Sequence, residues 1–126
     1  MIRRAFLPLV LLLLLALPAQ AASGTSPAMM SAFGGAVAIG DHEIFVGEAQ
    51  SFSSPGLVHV YRHTNGAWTL AAQLSAPDGF IGDRFGSALA VDGNRLLVSS
   101  IQANDGRGTV HVFEQEGTTW THTAQL

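Results

Sequence analysis

Five histidines, nine carboxylates and Ser87, set directly behind a glycine, are the side chains with chemistry to offer in this 126-residue chain. His59 and His111 lie 52 positions apart, each in a Val-His-Val context. Such a pair reads as one position of a repeated unit, placed on two separate sheets in equivalent packing or surface roles, and not as two ligands of one ion. His42, His63 and His122 fall in or beside turns or at a strand end, and no His-Glu-x-x-His or similarly close spacing is present. A metal site built on histidine is therefore not expected. A serine nucleophile needs a base and an orienting acid, and Ser87 sits in no Gly-x-Ser-x-Gly elbow. Its counterpart one repeat earlier is Gly35, so the position asks only for a small residue. Glu114 and Glu116 share a strand face by their spacing, but they flank a turn, where solvated carboxylates are ordinary.

The elements that would position these groups follow from the repeat. A shift of 52 residues aligns 33–74 with 85–126 without a gap, with 15 identities over 42 positions, among them Val58-His59-Val60 with Val110-His111-Val112 and Trp68-Thr69 with Trp120-Thr121. Each unit holds short β-branched runs separated by turn residues, the pattern of strands. Expected strands in the first unit are 36–39, 43–48, 57–62 and 68–74; in the second, 88–91, 95–100, 109–114 and 120–126. Asp92-Gly93 between apolar runs predicts a type I′ hairpin, in which both central residues take positive φ. Four antiparallel strands in a unit of this length make one β-propeller blade, whose two faces are both covered by neighbours. A β-sandwich is the weaker alternative, because it does not require so regular a copy of the whole unit. The fold expectation is all-β: two four-stranded antiparallel repeats of 52 residues, within a larger or oligomeric propeller.

Composition narrows the functional classes. Arg3 and Arg4, an apolar run over 5–17 that is short of the ~20 residues of a membrane span, and Ala19-Gln20-Ala21 predict a secretory signal over 1–21 and a secreted or periplasmic protein with no membrane segment after processing. Beyond it, four Arg stand against nine acidic residues, a net charge of −5 with no Lys, which argues against nucleic acid or anionic membranes as partners. The absence of cysteine excludes disulfides, thiol catalysis and Cys-ligated metals.

Phe33-Gly34-Gly35-Ala36 and Phe85-Gly86-Ser87-Ala88, each followed by a hairpin and a Val-x-Val-aromatic strand, resemble the FG-GAP repeat of integrin α-chain propellers, most closely its bacterial secreted form. Pro77-Asp78-Gly79 and Gly82-Asp83-Arg84 resemble the connector between blades of those proteins. Domain organisation on this reading is a signal at 1–21, a leader at 22–32, a first blade with its connector at 33–84 and a second at 85–126. Physically, the aromatic ring of Phe33 or Phe85 suits the wedge between blades, while Gly34 or Gly86 lets the backbone turn or approach a neighbour. Trp68 and Trp120 read as packing between blades.

The resemblance implies a noncatalytic exported module for protein or glycan binding, adhesion or scaffolding, with calcium as an occasional loop ligand. Asp78, Asp83, Asn104 and Asp105 are the calcium candidates, although Asn104-Asp105-Gly106 keeps only a fragment of an acidic calcium loop and its counterparts are Phe52, Ser53 and Ser54. Turn formation accounts for the same residues. Propellers close with roughly four to eight blades, so two blades imply either the N-terminal part of a longer propeller, the favoured expectation, or self-association of copies. The alternatives are the propeller portion of an exported hydrolase and a calcium-stabilised structural repeat.

Overall fold

A computed structural model of the chain describes residues 32–49 and 54–126. The expected signal at 1–21, all of the leader except Ala32, and the loop positions Phe52 and Ser53 lie outside the described residues. Two four-stranded antiparallel sheets follow one another along the chain: β1 (Phe33–Ile39), β2 (Glu43–Glu48), β3 (Leu57–Thr64) and β4 (Ala67–Leu74), then β5 (Phe85–Asp92), β6 (Arg95–Ser100), β7 (Thr109–Glu116) and β8 (Thr119–Gln125). Strand order in each sheet is sequential. Each sheet is a β-propeller blade, as the repeat predicts, and every strand falls at the expected place, with one to three residues added at some ends and β8 stopping one residue short, at Gln125.

The same irregularities recur in both blades. Register shifts in the first strand after Phe33 and after Phe85, where Gly34 and Gly86 take φ of 84° and 90°, and again in the third strand at Val60/Tyr61 and Val112/Phe113. A left-handed glycine accommodates the extra residues of such a bulge without Cβ strain. The hairpins differ from expectation in one respect. Asp92 pairs with Arg95, and of the intervening residues only Gly93 has positive φ (55°), so this turn follows the II′ pattern led by glycine and not I′. The I′ pattern belongs to Asn65-Gly66, with φ of 53° and 80°.

The second blade stacks on the first through its innermost strand, with β5 lying against β1, β2 and β3. Alternation along the strands decides which side chains meet. Glu43, Phe45 and Gly47 of β2 and Leu96, Val98 and Ser100 of β6 are buried between the sheets, while the residues between them point the other way. Phe45, Val58, Val60, Phe85, Leu96 and Val98 are fully buried and form one core shared by both blades.

Candidate functional site

The most developed polar constellation lies at the join of the blades. Glu43 opens β2 with its carboxylate buried. That carboxylate accepts hydrogen bonds from Nε of Arg62 at 2.9 Å, from Nε2 of Gln115 at 3.2 Å to each oxygen, and from Nε1 of Trp120 at 2.9 Å. Arg62 lies opposite Glu43 in the β2–β3 register, which places the guanidinium, while Gln115 and Trp120 are opposed on β7 and β8 of the second blade. Arg62 also reaches across to the backbone oxygen of Thr118 at 3.0 Å. A buried carboxylate is tolerated when its charge is paired and its lone pairs are filled, and here both are done by groups from two blades. The Trp120 ring meets Phe45 edge-on at 5.3 Å and 87°.

Phe85 supplies the apolar half of the join. It is fully buried, packs edge-on against His111 at 5.3 Å and Phe113 at 6.0 Å, and its amide donates to the Pro55 carbonyl at 3.0 Å. Gly47 and Gly86 touch backbone to backbone: a Cβ on Gly47 would lie 2.1 Å from the Gly86 oxygen. Both reasons for glycine after the phenylalanine therefore apply at Gly86, left-handed φ and close approach. Trp120 is buried between the blades. Trp68 is half exposed on the outer face of the first blade, beside His63 at 5.0 Å, and Phe33 is half exposed against His59 at 5.1 Å.

His59 and His111 are both buried and both sit edge-on to the repeat phenylalanine, so their equivalence in packing holds. Their polar partners differ. Nε2 of His59 lies 2.8 Å from a Glu48 carboxylate oxygen, and Gln73 donates to its Nδ1 at 3.1 Å. In the second blade Ser100 replaces Glu48 and His122 replaces Leu70, so Nδ1 of His111 faces Nε2 of His122 at 3.2 Å. Burial, then the neighbouring His122, push the His111 pKa below 6.5, against a smaller opposing pull from Asp83. His122 is a mid-strand residue of β8, not a turn residue, and is the histidine whose contact the spacing did not reveal.

The remaining candidates take structural places. Ser87 Oγ donates to the Arg84 carbonyl at 2.6 Å, and Glu114 pairs with Arg95 at 2.8 Å on the exposed end of the second blade. Asp78, Asp83, Asn104 and Asp105 are brought to one place: all four line an open cleft of about 650 Å³ between the connector and the turn Ala103–Gly106, with Phe80, Thr109 and His111 on its walls. Among the described residues, however, no three His, Asp or Glu side chains converge closely enough to hold a metal ion. Asp83 is engaged locally, its carboxylate accepting the Phe80 amide at 2.7 Å and its carbonyl the Gln102 amide at 3.1 Å. Asn104 and Asp105 take left-handed φ of 54° and 58°, which Asn and Asp adopt more readily than other non-glycine residues.

The sequence reading missed the Glu43 constellation. A signal for it exists in the repeat: the 52-residue shift sets Glu43 against Arg95 and Arg62 against Glu114, an ion pair kept with its charges exchanged.

No curated protein matches the chain. Residues 68–113 match the family model described as FG-GAP repeat. The matched segment begins in the last strand of the first blade, crosses the connector and ends in the third strand of the second, so it contains Phe85 and Gly86 of the join. That match, which includes the Phe85-Gly86 motif, shows that the chain carries an FG-GAP repeat.

Proposed function

We propose that the chain is a noncatalytic, exported binding module whose connector and 101–108 loops recognise a protein or glycan. The observation that carries this reading is the cleft of about 650 Å³ formed by those two loops at one end of the blades. Its walls combine an exposed aromatic ring, Phe80, with the amides and carboxylates of Gln102, Asn104, Asp105 and Gln125. An apolar face beside convergent polar groups suits a sugar ring or an extended peptide. The best-connected ionisable side chains are meanwhile engaged in joining blade to blade. Export rests on the charged, apolar and Ala-x-Ala order of 1–21.

Binding of the purified chain to a glycan array and to a panel of extracellular proteins tests this. Phe80→Ala and Asp105→Ala should each weaken any ligand found at least tenfold while leaving the circular dichroism unchanged. Binding indifferent to both substitutions would move the site elsewhere. A melting temperature that falls with a chelator, and no longer does so in Asp105→Ala, would replace this reading with a calcium-stabilised repeat. Hydrolytic activity of the complete gene product would favour the enzyme alternative.

A further inference from the structure

The Glu43 carboxylate lies in the wall of a second cavity, about 340 Å³ in volume, formed by both blades. The hairpin turns β1–β2, β5–β6 and β7–β8 ring it, which places it at the end of the strands opposite the connector cleft. Phe45, Val91 and Trp120 give it an apolar side. The polar side is not used up by the network that joins the blades. Glu43 itself is saturated: Oε1 accepts from Nε and Nη2 of Arg62 and from Nε2 of Gln115, and Oε2 accepts from Nε2 of Gln115 and Nε1 of Trp120. Nη2 of Arg62 also donates to the Thr118 carbonyl. Both hydrogens on Nη1 are left without an acceptor among the described residues, on a side chain that is 25 % exposed. Gln115 turns its amide nitrogen to Glu43, and among the described residues nothing donates to its Oε1. At the rim, the exposed Asp41 carboxylate is a further acceptor, and the exposed His42 imidazole can give or take a hydrogen bond.

We propose that this cavity binds the ring of a neutral hexopyranose, at a second site independent of the connector cleft. Charge and hydrogen-bonding capacity together select that chemistry. The Arg62 charge is balanced by Glu43, and Asp41 adds a negative charge at the rim, so an anion meets no net attraction while a cation meets the guanidinium. The ligand left is neutral, and it must both accept from Nη1 of Arg62 and donate to Oε1 of Gln115 and to Asp41. A hydroxyl does both, and adjacent ring hydroxyls present the two functions side by side. The hydrocarbon face of the ring covers Phe45, Val91 and Trp120, which removes apolar surface from water. The volume stands at the small end of ligand cavities, a size for a sugar ring and not for an extended peptide.

Trp120 is a reporter built into the wall. In the full-length Trp68→Phe chain it is the one remaining tryptophan, and its fluorescence should change saturably on titration with glucose, galactose or mannose, at least one of them binding in the millimolar range. Arg62→Lys keeps the charge beside Glu43 and removes the Nη1 hydrogens, and should weaken binding about tenfold. Asp41→Ala, at an exposed position outside the blade joint, should weaken it about threefold, the worth of one modest hydrogen bond, with circular dichroism unchanged. Glucuronate, a sugar of the same ring with a carboxylate added, should bind more weakly than glucose. Disaccharides that bind as well as the hexoses identify glycan chain ends as the source of the ring, and binding of hexoses alone identifies free sugar; both support the site. Phe80→Ala and Asp105→Ala, at the opposite end of the blades, should leave these titrations unchanged, so failure of the cleft and failure of this cavity are separately visible. The proposal is overturned when neither Trp120 fluorescence nor saturation-transfer NMR of the sugar detects binding up to about 50 mM, beyond the millimolar range of weak specific binding. Binding indifferent to both Arg62→Lys and Asp41→Ala, or tighter for glucuronate than for glucose, overturns it as well.

Discussion

The two blades carry the same residues at the positions that matter and bury them very differently. Phe33 is 50 % exposed and Phe85 is fully buried; Trp68 is 49 % exposed and Trp120 8 %. The ion pair of the first blade, Glu43–Arg62, is 8 and 25 % exposed in its side chains, while the charge-exchanged pair Arg95–Glu114 is 62 and 38 % exposed. Backbone and motif are nearly equal in the two copies, so the difference comes from the neighbour: among the described residues, one face of each blade has another blade on it. In a stacked repeat, burial belongs to the interface between units as much as to the unit itself.

Substitutions at matched positions can break that comparison. The largest contrast is expected at the motif phenylalanine. Phe85→Ala leaves a hole in a core shared by both blades and should cost about 3–5 kcal/mol, whereas Phe33→Ala should cost about 1 kcal/mol for the buried half of its ring; chemical denaturation of both variants measures the difference. Equal losses would mean that the first blade is stabilised independently of stacking.

The ion pairs come next. Glu43→Ala leaves the Arg62 guanidinium, the Gln115 amide and the Trp120 indole without their shared acceptor and should cost about 3 kcal/mol. Arg95→Ala, in the exposed pair, should fall within about 1 kcal/mol of wild type. Gly47→Ala sharpens the same contrast sterically. Its methyl meets the Gly86 carbonyl, so blade stacking must open, at about 1–3 kcal/mol, although Ser99 carries a Cβ at the matching position of the second blade without hindrance. A Gly47→Ala melting curve superposing on wild type would show that the blades slide apart freely.

The smallest effect is a pH dependence confined to the second blade. His111 is held neutral in the fold because burial and His122 depress its pKa below 6.5. The unfolded chain takes up that proton first, so the stability tied to His111 is fully present above pH 6.5 and is lost as pH falls from there through the folded-state value. Replacing His122 by leucine, the residue the first blade holds at position 70, should shrink this loss in thermal melts between pH 7.5 and 5. A variant with an unchanged pH profile would assign the sensitivity to another group.

Much of this architecture is legible in the chain. Period-two alternation and turn residues locate all eight strands, and the 52-residue shift makes the second blade a copy of the first. Local conformation was less legible at Asp92-Gly93, where pairing of Asp92 with Arg95 moves the turn one residue on, because a hairpin's register is set by the partner strand as well as by its dipeptide. Of the site, Asp78, Asp83, Asn104 and Asp105 were identifiable as loop oxygen donors, and their gathering in one cleft was not, since it depends on the connector folding back beside the 101–108 loop.

By itself, then, the order of residues determined strands, the repeat and the need for glycine after each motif phenylalanine, all of which are short-range consequences of side-chain alternation and backbone sterics. Only the tertiary structure decided which copy of each repeated residue is buried, that Glu43 gathers Arg62, Gln115 and Trp120 from two blades, and that His111 faces His122 where His59 faces Glu48. Those outcomes depend on which sheet face another sheet covers, and a repeat that writes the same face twice cannot say which copy will be covered.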